Sequence, residues 1–349
     1  MGSHLSLAVK PRFFTGASPQ SRLLGFGLRH TVRPVLGVWA RLPFQIAPPN
    51  LIDHVARLLP VHEGTMWRSV ELADCPSEWL QAKGVEDIHG GNDHAILYFH
   101  GGGFVTCGLN THRRLVSRIS YASKQPVLNV GYRQMPHEPI VNTILDCIDG
   151  FRWLLDQGYK AGNITIAGDS AGGYLAFCVA RAVIDKGWGR PAGVVAMSPL
   201  LDMDPAGKLS HRNANLCQTF PMNAIARLSD VADQLEIRRG VSGLRVCPVN
   251  MPMSDLPPTL IHIGSLEILM ADAELMANRL VSAGVPCELQ VWDRQVHVFQ
   301  AAAAWVPEGR LAIREIGKFI RGLEAHESTT SVVVPVENTA SPTKVSGVL

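Results

Sequence analysis

The sequence predicts an α/β fold with a mostly parallel central sheet and helices on both faces. Three observations predict it. The short, unbroken apolar run at 95–99 reads as a strand buried on both faces, as in parallel sheets, and Thr259-Leu260-Ile261-His262-Ile263 reads as a later strand of the same core. Stretches with helical period lie between such runs, notably 141–157, where Ile144, Leu145, Ile148, Phe151 and Leu155 recur near one face. The segment 164–173 starts as an apolar strand, breaks at Gly168-Asp169-Ser170-Ala171-Gly172 and resumes as helix through Ile184. Strands alternating with helices in this way require crossover connections and hence a parallel sheet.

The bulk properties agree. The 349 residues are 46% hydrophobic and 18% charged, which supports a sizeable core and argues against general disorder. A net charge of +2 gives no global basis for a nucleic-acid partner. The seven cysteines are scattered, with no Cys-x-x-Cys spacing, and read as reduced, small apolar side chains of a cytoplasmic protein. No apolar run reaches the roughly 18 residues of a membrane-spanning helix, and no secretory signal pattern opens the sequence.

Taken in order, residues 1–64 form an N-terminal lid segment. Six basic residues (Lys10, Arg12, Arg22, Arg29, Arg33 and Arg41) precede the first acid, Asp53, and alternate with apolar side chains such as Leu23, Phe26 and Val38. Two readings compete: a helical lid with its arginines in water, or a peripheral contact with an anionic membrane. The lid is preferred because Pro34, Pro43, Pro48 and Pro49 interrupt any long surface helix. An amphipathic targeting peptide is a third reading. The core is expected over 65–204 and 251–323. It opens with two half-exposed strands near 67–72 and 78–82, and a polar hairpin loop at 89–94, whose histidines lack metal-ligand spacing. Further strands are expected at 127–130, 164–168, 193–197 and 288–292, with helices at 111–123, 141–157, 272–283 and 310–323. Residues 205–250, helical only near 224–237, are too long for an ordinary connection and read as an inserted lid. The tail 324–349 is small and polar and is expected to be disordered.

Chemistry concentrates at the strand-to-helix break. A Gly-x-Ser-x-Gly turn lifts the Ser170 hydroxyl above the sheet edge, with a helix N-terminus beneath it. A serine hydroxyl needs an imidazole to take its proton, and the imidazole needs a carboxylate to orient it. His297, on the loop after the strand 288–292, is the candidate imidazole; His262 lies within an apolar strand and reads as a satisfied core histidine. The carboxylate candidates are Glu267 and Asp272. Glu267 is preferred because it lies in a loop, whereas Asp272 is placed to cap a helix at Ala273. His100-Gly101-Gly102-Gly103 follows a buried strand and supplies unshielded amides. The N–H groups of Gly102, Gly103 and Ala171 are the candidate oxyanion hole. No phosphate-binding glycine pattern stands here, and no metal or cofactor is called for.

On these residues the chain resembles the hormone-sensitive lipase-like esterases of the α/β-hydrolase superfamily. The resemblance covers about 65–322 and rests on His100-Gly101-Gly102-Gly103-Phe104, on Gly168-Asp169-Ser170-Ala171-Gly172-Gly173, and on the placement of the acid and histidine. Two positions depart from the family pattern. Glu267-Ile268-Leu269 stands where the family has Asp-Pro-Leu, and His137 replaces the glutamate of Tyr-Arg-Leu-Ala-Pro-Glu. The resemblance implies a serine carboxylic ester hydrolase acting through an acyl-serine intermediate on short- to medium-chain esters. An acyltransferase or amidase with the same three residues, or a non-catalytic ligand-binding member, are the alternatives.

Overall fold

The computed structural model describes residues 9–42 and 51–330; Pro43, Pro48, Pro49 and the tail beyond 330 lie outside them. Among the described residues nine strands form one sheet in the order β1-β9-β8-β7-β6-β4-β5-β3-β2. In chain order these are β1 (Arg12–Phe14), β2 (Met66–Glu71), β3 (Pro76–Gln81), β4 (Ala95–Phe99), β5 (Val127–Val130), β6 (Ile164–Asp169), β7 (Gly193–Met197), β8 (Thr259–Gly264) and β9 (Cys287–Trp292). Only the β2/β3 and β3/β5 pairings are antiparallel. The sheet is therefore mostly parallel, as its buried apolar strands require.

Two helical layers cover it. On one face α4 (Leu109–Ser123) and α10 (Pro307–Thr330) bring Val116, Ile119, Ile316 and Ile320 against Ile96, Tyr98, Ala167 and Val195. On the other, α5 (Ile140–Asp156), α6 (Ala171–Asp185) and α9 (Met270–Ser282) bury Phe151, Leu175 and Met276 with Leu97, Phe99 and Ile261. Alternate residues of each strand thus serve opposite layers, the period-two pattern of a pleated strand.

Strand β4 sits between β5 and β6, so the chain leaves it first to one side and then to the other. Loops after β4 and β6 diverge at this switch point and leave a crevice at the carboxyl edge. That places the glycine-rich loop and the elbow side by side.

Four expectations need correction. Residues 89–94 are not a hairpin loop, because β3 pairs with β5 and not with β4; the connection crosses beyond β5. Strand β3 is buried from Ser77 to Leu80 and is not half-exposed. Glu78 disguised it: its carboxylate is buried but accepts from Arg113 Nη2 at 2.7 Å and from Asn129 Nδ2 at 3.0 Å. Residues 12–14 are not lid but the edge strand of the sheet, Phe14 pairing with Trp292 and stacking on it at 3.8 Å. The last helix runs to Thr330, past the expected end at Leu323 and into the expected tail.

The remaining N-terminal helices are α1 (Pro19–His30), α2 (Val32–Trp39) and α3 (Leu51–Ala56). Ser18 caps α1, accepting from Ser21 N, and its own N–H and Oγ donate to Glu308 at the start of α10. Residues 205–250 join β7 to β8 and contain α7 (Ala206–Ser210) and α8 (Met222–Arg239). Asn223 Nδ2 on α8 donates to Gly37 O on α2 at 3.0 Å, so the insertion and the N-terminal helices meet.

Candidate active site

The elbow is built from strand β6 and helix α6. Ser170 stands between them at φ 53°, ψ −117°, a left-handed backbone that a non-glycine residue adopts only under constraint. The constraint is visible. Ser170 N–H donates to Met197 O at 2.9 Å, and Ser170 O accepts from Leu200 N and Gly173 N at 3.0 Å. Helix α6 begins so close to β4 that a Cβ on Gly172 would lie 1.9 Å from Phe99 O. Ser170 retains 7% exposure, at the mouth of the crevice.

The carboxylate and imidazole come from the loops after β8 and β9. His297 Nδ1 is 2.7 Å from Glu267 Oε2. The other oxygen of Glu267 accepts from Gly264 N and from Ser198 Oγ, both at 2.7 Å. The carboxylate is thereby fixed with one oxygen committed to the backbone and the other to the imidazole. Ser198 also accepts from Val298 N at 3.1 Å, next to His297. Since Met197, which holds Ser170 N–H, precedes Ser198, three distant segments meet within a few residues at the sheet's carboxyl edge. Phe220, from the insertion, sets its ring edge-on to His297 at 4.6 Å.

Asp272, the other candidate acid, serves elsewhere. It does not cap a helix at Ala273, because α9 already starts at Met270. Its carboxylate accepts from Leu201 N at 2.8 Å and Asp202 N at 3.0 Å and pairs with Lys208 Nζ at 3.1 Å, all in or beside the insertion. Burial raises its pKa against the opposing pull of Lys208 and these amides. His262 is buried as expected but only half satisfied. Its Nδ1 meets Gln300 Nε2 at 3.4 Å, Nε2 has no partner among the described residues, and burial lowers its pKa to about 3.

The glycine-rich loop is held from below. Tyr132 OH donates to His100 O at 2.5 Å, its ring stacked on the imidazole at 4.2 Å. His100 Nδ1 donates to Gly101 O at 2.7 Å. Burial, helped by the nearby His112, lowers the His100 pKa to about 4 and keeps the ring neutral. Gly102 turns at φ 118°, and its carbonyl accepts from Val105 N and Thr106 N. Among the described residues, no acceptor takes the N–H groups of Gly102 or Gly103. Ala171, first residue of α6, contributes an amide at a helix N-terminus. Downstream, Arg133 N and Nε donate to Asp146, which locks the turn after β5, and His137 O accepts from Arg239 Nη2 on α8 at 2.6 Å.

Ser198, Asn213, Phe220 and Tyr132 were not singled out as site residues from the sequence. Asn213 Nδ2, in the insertion, ties down the acid loop by donating to Ser265 O and Glu267 O. A serine straight after a buried strand is the one local signal that marked Ser198; the rest depend on tertiary contacts.

A parallel sheet with helices on both faces, an elbow after one strand, and a paired acid and imidazole after two later ones define an α/β hydrolase. The chain belongs to the α/β-hydrolase fold family, in its hormone-sensitive lipase-like group: the family's profile matches residues 96–301. It is 41% identical over 293 residues to esterase LipU of Mycobacterium tuberculosis, covering 83% of this chain and 98% of that protein. Carboxylesterase/phospholipase LipF of the same organism is 36% identical, with 91% of this chain and 86% of LipF covered. Among solved structures, EstE5 soaked with p-nitrophenyl butyrate superposes with a TM-score of 0.75 at 30% identity, over 88% of this chain and all of EstE5. An esterase from the bacterial hormone-sensitive lipase family gives the same score and identity.

Proposed function

We propose that this protein is a serine carboxylic ester hydrolase whose substrate is a small-molecule ester. The 2.7 Å pairing of Glu267 with His297, tied through Ser198 to the strand end beside Ser170, carries the reading. In this mechanism Ser170 Oγ attacks the ester carbonyl while His297 takes its proton. Glu267 orients the imidazole and stabilises the imidazolium that forms. The negative charge on the carbonyl oxygen is received by the amides of Gly102, Gly103 and Ala171. His297 then gives its proton to the departing alcohol, leaving an acyl-serine, and water repeats the sequence in reverse. The relatives named above are esterases or a carboxylesterase/phospholipase, which supports the same chemistry here.

The N-terminal helices and the insertion 205–250 act in this reading as one lid over the acyl pocket, with Phe220 as its contact to the imidazole. Short- to medium-chain acyl groups are the expected substrates. Peripheral contact with an anionic membrane is supported by exposed Leu23, Phe26, Val35 and Val38 beside exposed Arg22, Arg29 and Arg41. Among the described residues no helix is long and apolar enough to cross a membrane. All seven cysteines are free thiols, in keeping with a cytoplasmic location.

The test is hydrolysis of p-nitrophenyl esters of graded chain length by the wild type and by Ser170→Ala. The expected result is a preference for the shorter chains and a loss of kcat on the order of 10⁵ or more in the variant. Equal rates in the two proteins overturn the assignment.

A further inference from the structure

Beneath the elbow lies a buried group of titratable side chains that acyl-serine chemistry does not use. Asp169, the residue before Ser170, is 2% exposed. Its Oδ1 accepts from Tyr98 OH at 2.6 Å, and its Oδ2 lies 3.3 Å from His112 Nε2. The other nitrogen of that ring, Nδ1, is 2.9 Å from Thr111 Oγ1. The threonine hydroxyl is 3.1 Å from Asp53 Oδ1, which also accepts from Thr111 N at 2.8 Å, while Asp53 Oδ2 accepts from Asn110 Nδ2 at 2.8 Å. Asp53 belongs to α3 in the N-terminal segment. A continuous polar path therefore joins that segment to the residue beside the nucleophile.

The path touches the glycine-rich loop at Gly101. Gly101 N lies 3.4 Å from His112 Nε2, and a Cβ on Gly101 would fall 2.2 Å from Asp169 Oδ2 and 3.1 Å from Ser170 Cβ. Nε2 serves one neighbour at a time: with a proton it donates to Asp169, without one it accepts from Gly101 N–H. The carboxylate decides, because an ionised group buried without a counter-charge is strongly destabilising. When the ring also carries a proton on Nδ1, that N–H donates to Thr111 Oγ1 and the threonine hydroxyl donates to Asp53 Oδ1 or to Gly108 O.

The surrounding groups fit a charged ring. His100, with its ring centroid 5.4 Å from that of His112, stays neutral. Burial keeps Tyr98, Tyr132 and Cys107 protonated. Burial pushes the Asp169 carboxyl up, yet His112 and Tyr98 together bring it below the usual carboxylate range. Burial likewise pulls the His112 pKa down, and Asp169 more than offsets it, leaving it above the ordinary histidine value.

We propose that His112 is a positioning residue for ester hydrolysis: an imidazolium clamped between Asp169 and the Thr111–Asp53 pair, it fixes the oxyanion loop against the nucleophile elbow. This rests on the ester-hydrolase reading. Because Asp169 raises its pKa in the fold, the clamp is complete below the ordinary histidine range and is lost as pH rises through the raised value. It gives kcat an alkaline limb, opposite in sense to the acidic limb expected from His297 as the base.

The experiment compares p-nitrophenyl butyrate hydrolysis from acidic to alkaline pH in wild type, His112→Leu, His112→Gln and Asp53→Asn. His112→Leu loses roughly 10- to 100-fold in kcat with little change in KM, the scale of a misplaced donor. His112→Gln keeps a donor but cannot titrate, so it recovers most of kcat and lacks the alkaline limb. Asp53→Asn moves that limb to lower pH. A His112→Leu enzyme with wild-type kcat, or a His112→Gln enzyme with the wild-type limb, overturns the proposal. Should His112→Leu fail to fold, the glutamine variant still decides. Nitrogen NMR of the His112 ring in the wild-type protein is a separate readout: a ring that titrates at or below the ordinary histidine value overturns the clamp whether or not any ester is cleaved. A wild type that cleaves no ester sinks the functional reading alone.

Discussion

At the scale of single residues, the two carboxylates after β8 illustrate how burial assigns roles. Glu267 and Asp272 are both almost wholly buried and five positions apart, yet one faces His297 and the other Lys208. Their variants should fail in different ways. Glu267→Gln removes the group that orients His297, and kcat should fall on the order of 10³- to 10⁴-fold while the melting temperature changes little. Asp272→Asn leaves the Lys208 ammonium, itself 1% exposed, without its counter-charge. That should cost about 3–5 kcal/mol of stability with kcat per folded molecule unchanged. Denaturant titration and initial rates on the same preparations separate the two. The sequence favoured Glu267 from its loop position, but it held no sign of the Lys208 partner, which lies 64 residues away.

At the scale of elements, the elbow shows what was readable locally. The run 164–173 carries its own strand signal, turn glycines and helix signal, and the structure builds β6 and α6 from it. Gly172 is required there by crowding, since its Cβ would meet a backbone carbonyl that cannot move aside. Gly172→Ala should cost about 3 kcal/mol, the upper end of the overpacking range, and lower the melting temperature accordingly. Elements fixed by distant partners were less legible. The three residues of β1 are too few to show a period and are strand only because β9 offers an edge. Strand β3 was read as half-exposed because Glu78 looks solvent-bound until Arg113 and Asn129 are seen around it.

At the scale of the whole molecule, charge and exposure are unevenly spread. A chain of net charge +2 places six basic residues before its first acid, and the helices there leave Leu23, Phe26, Val35 and Val38 in water. If this face meets lipid, wild type should co-sediment with vesicles containing anionic phospholipid, and added salt should weaken the binding. Replacing Leu23, Phe26, Val35 and Val38 by serine should abolish it without lowering kcat on soluble esters. Equal sedimentation with neutral and anionic vesicles, or with wild type and variant, would discard the membrane reading. Composition alone gave no global basis for a nucleic-acid partner and left the lid and membrane readings open, because both need the same amphipathic helices.

The short strand β1 has a consequence for the outer rim of the sheet. Phe14 O accepts from Asp293 N at 2.9 Å, and the rest of the strand covers the free side of β9. Stripped of it, β9 would present unpaired amides and carbonyls as a template for a neighbouring chain. Those three residues therefore guard against self-association while helping to seat the loop that bears the imidazole.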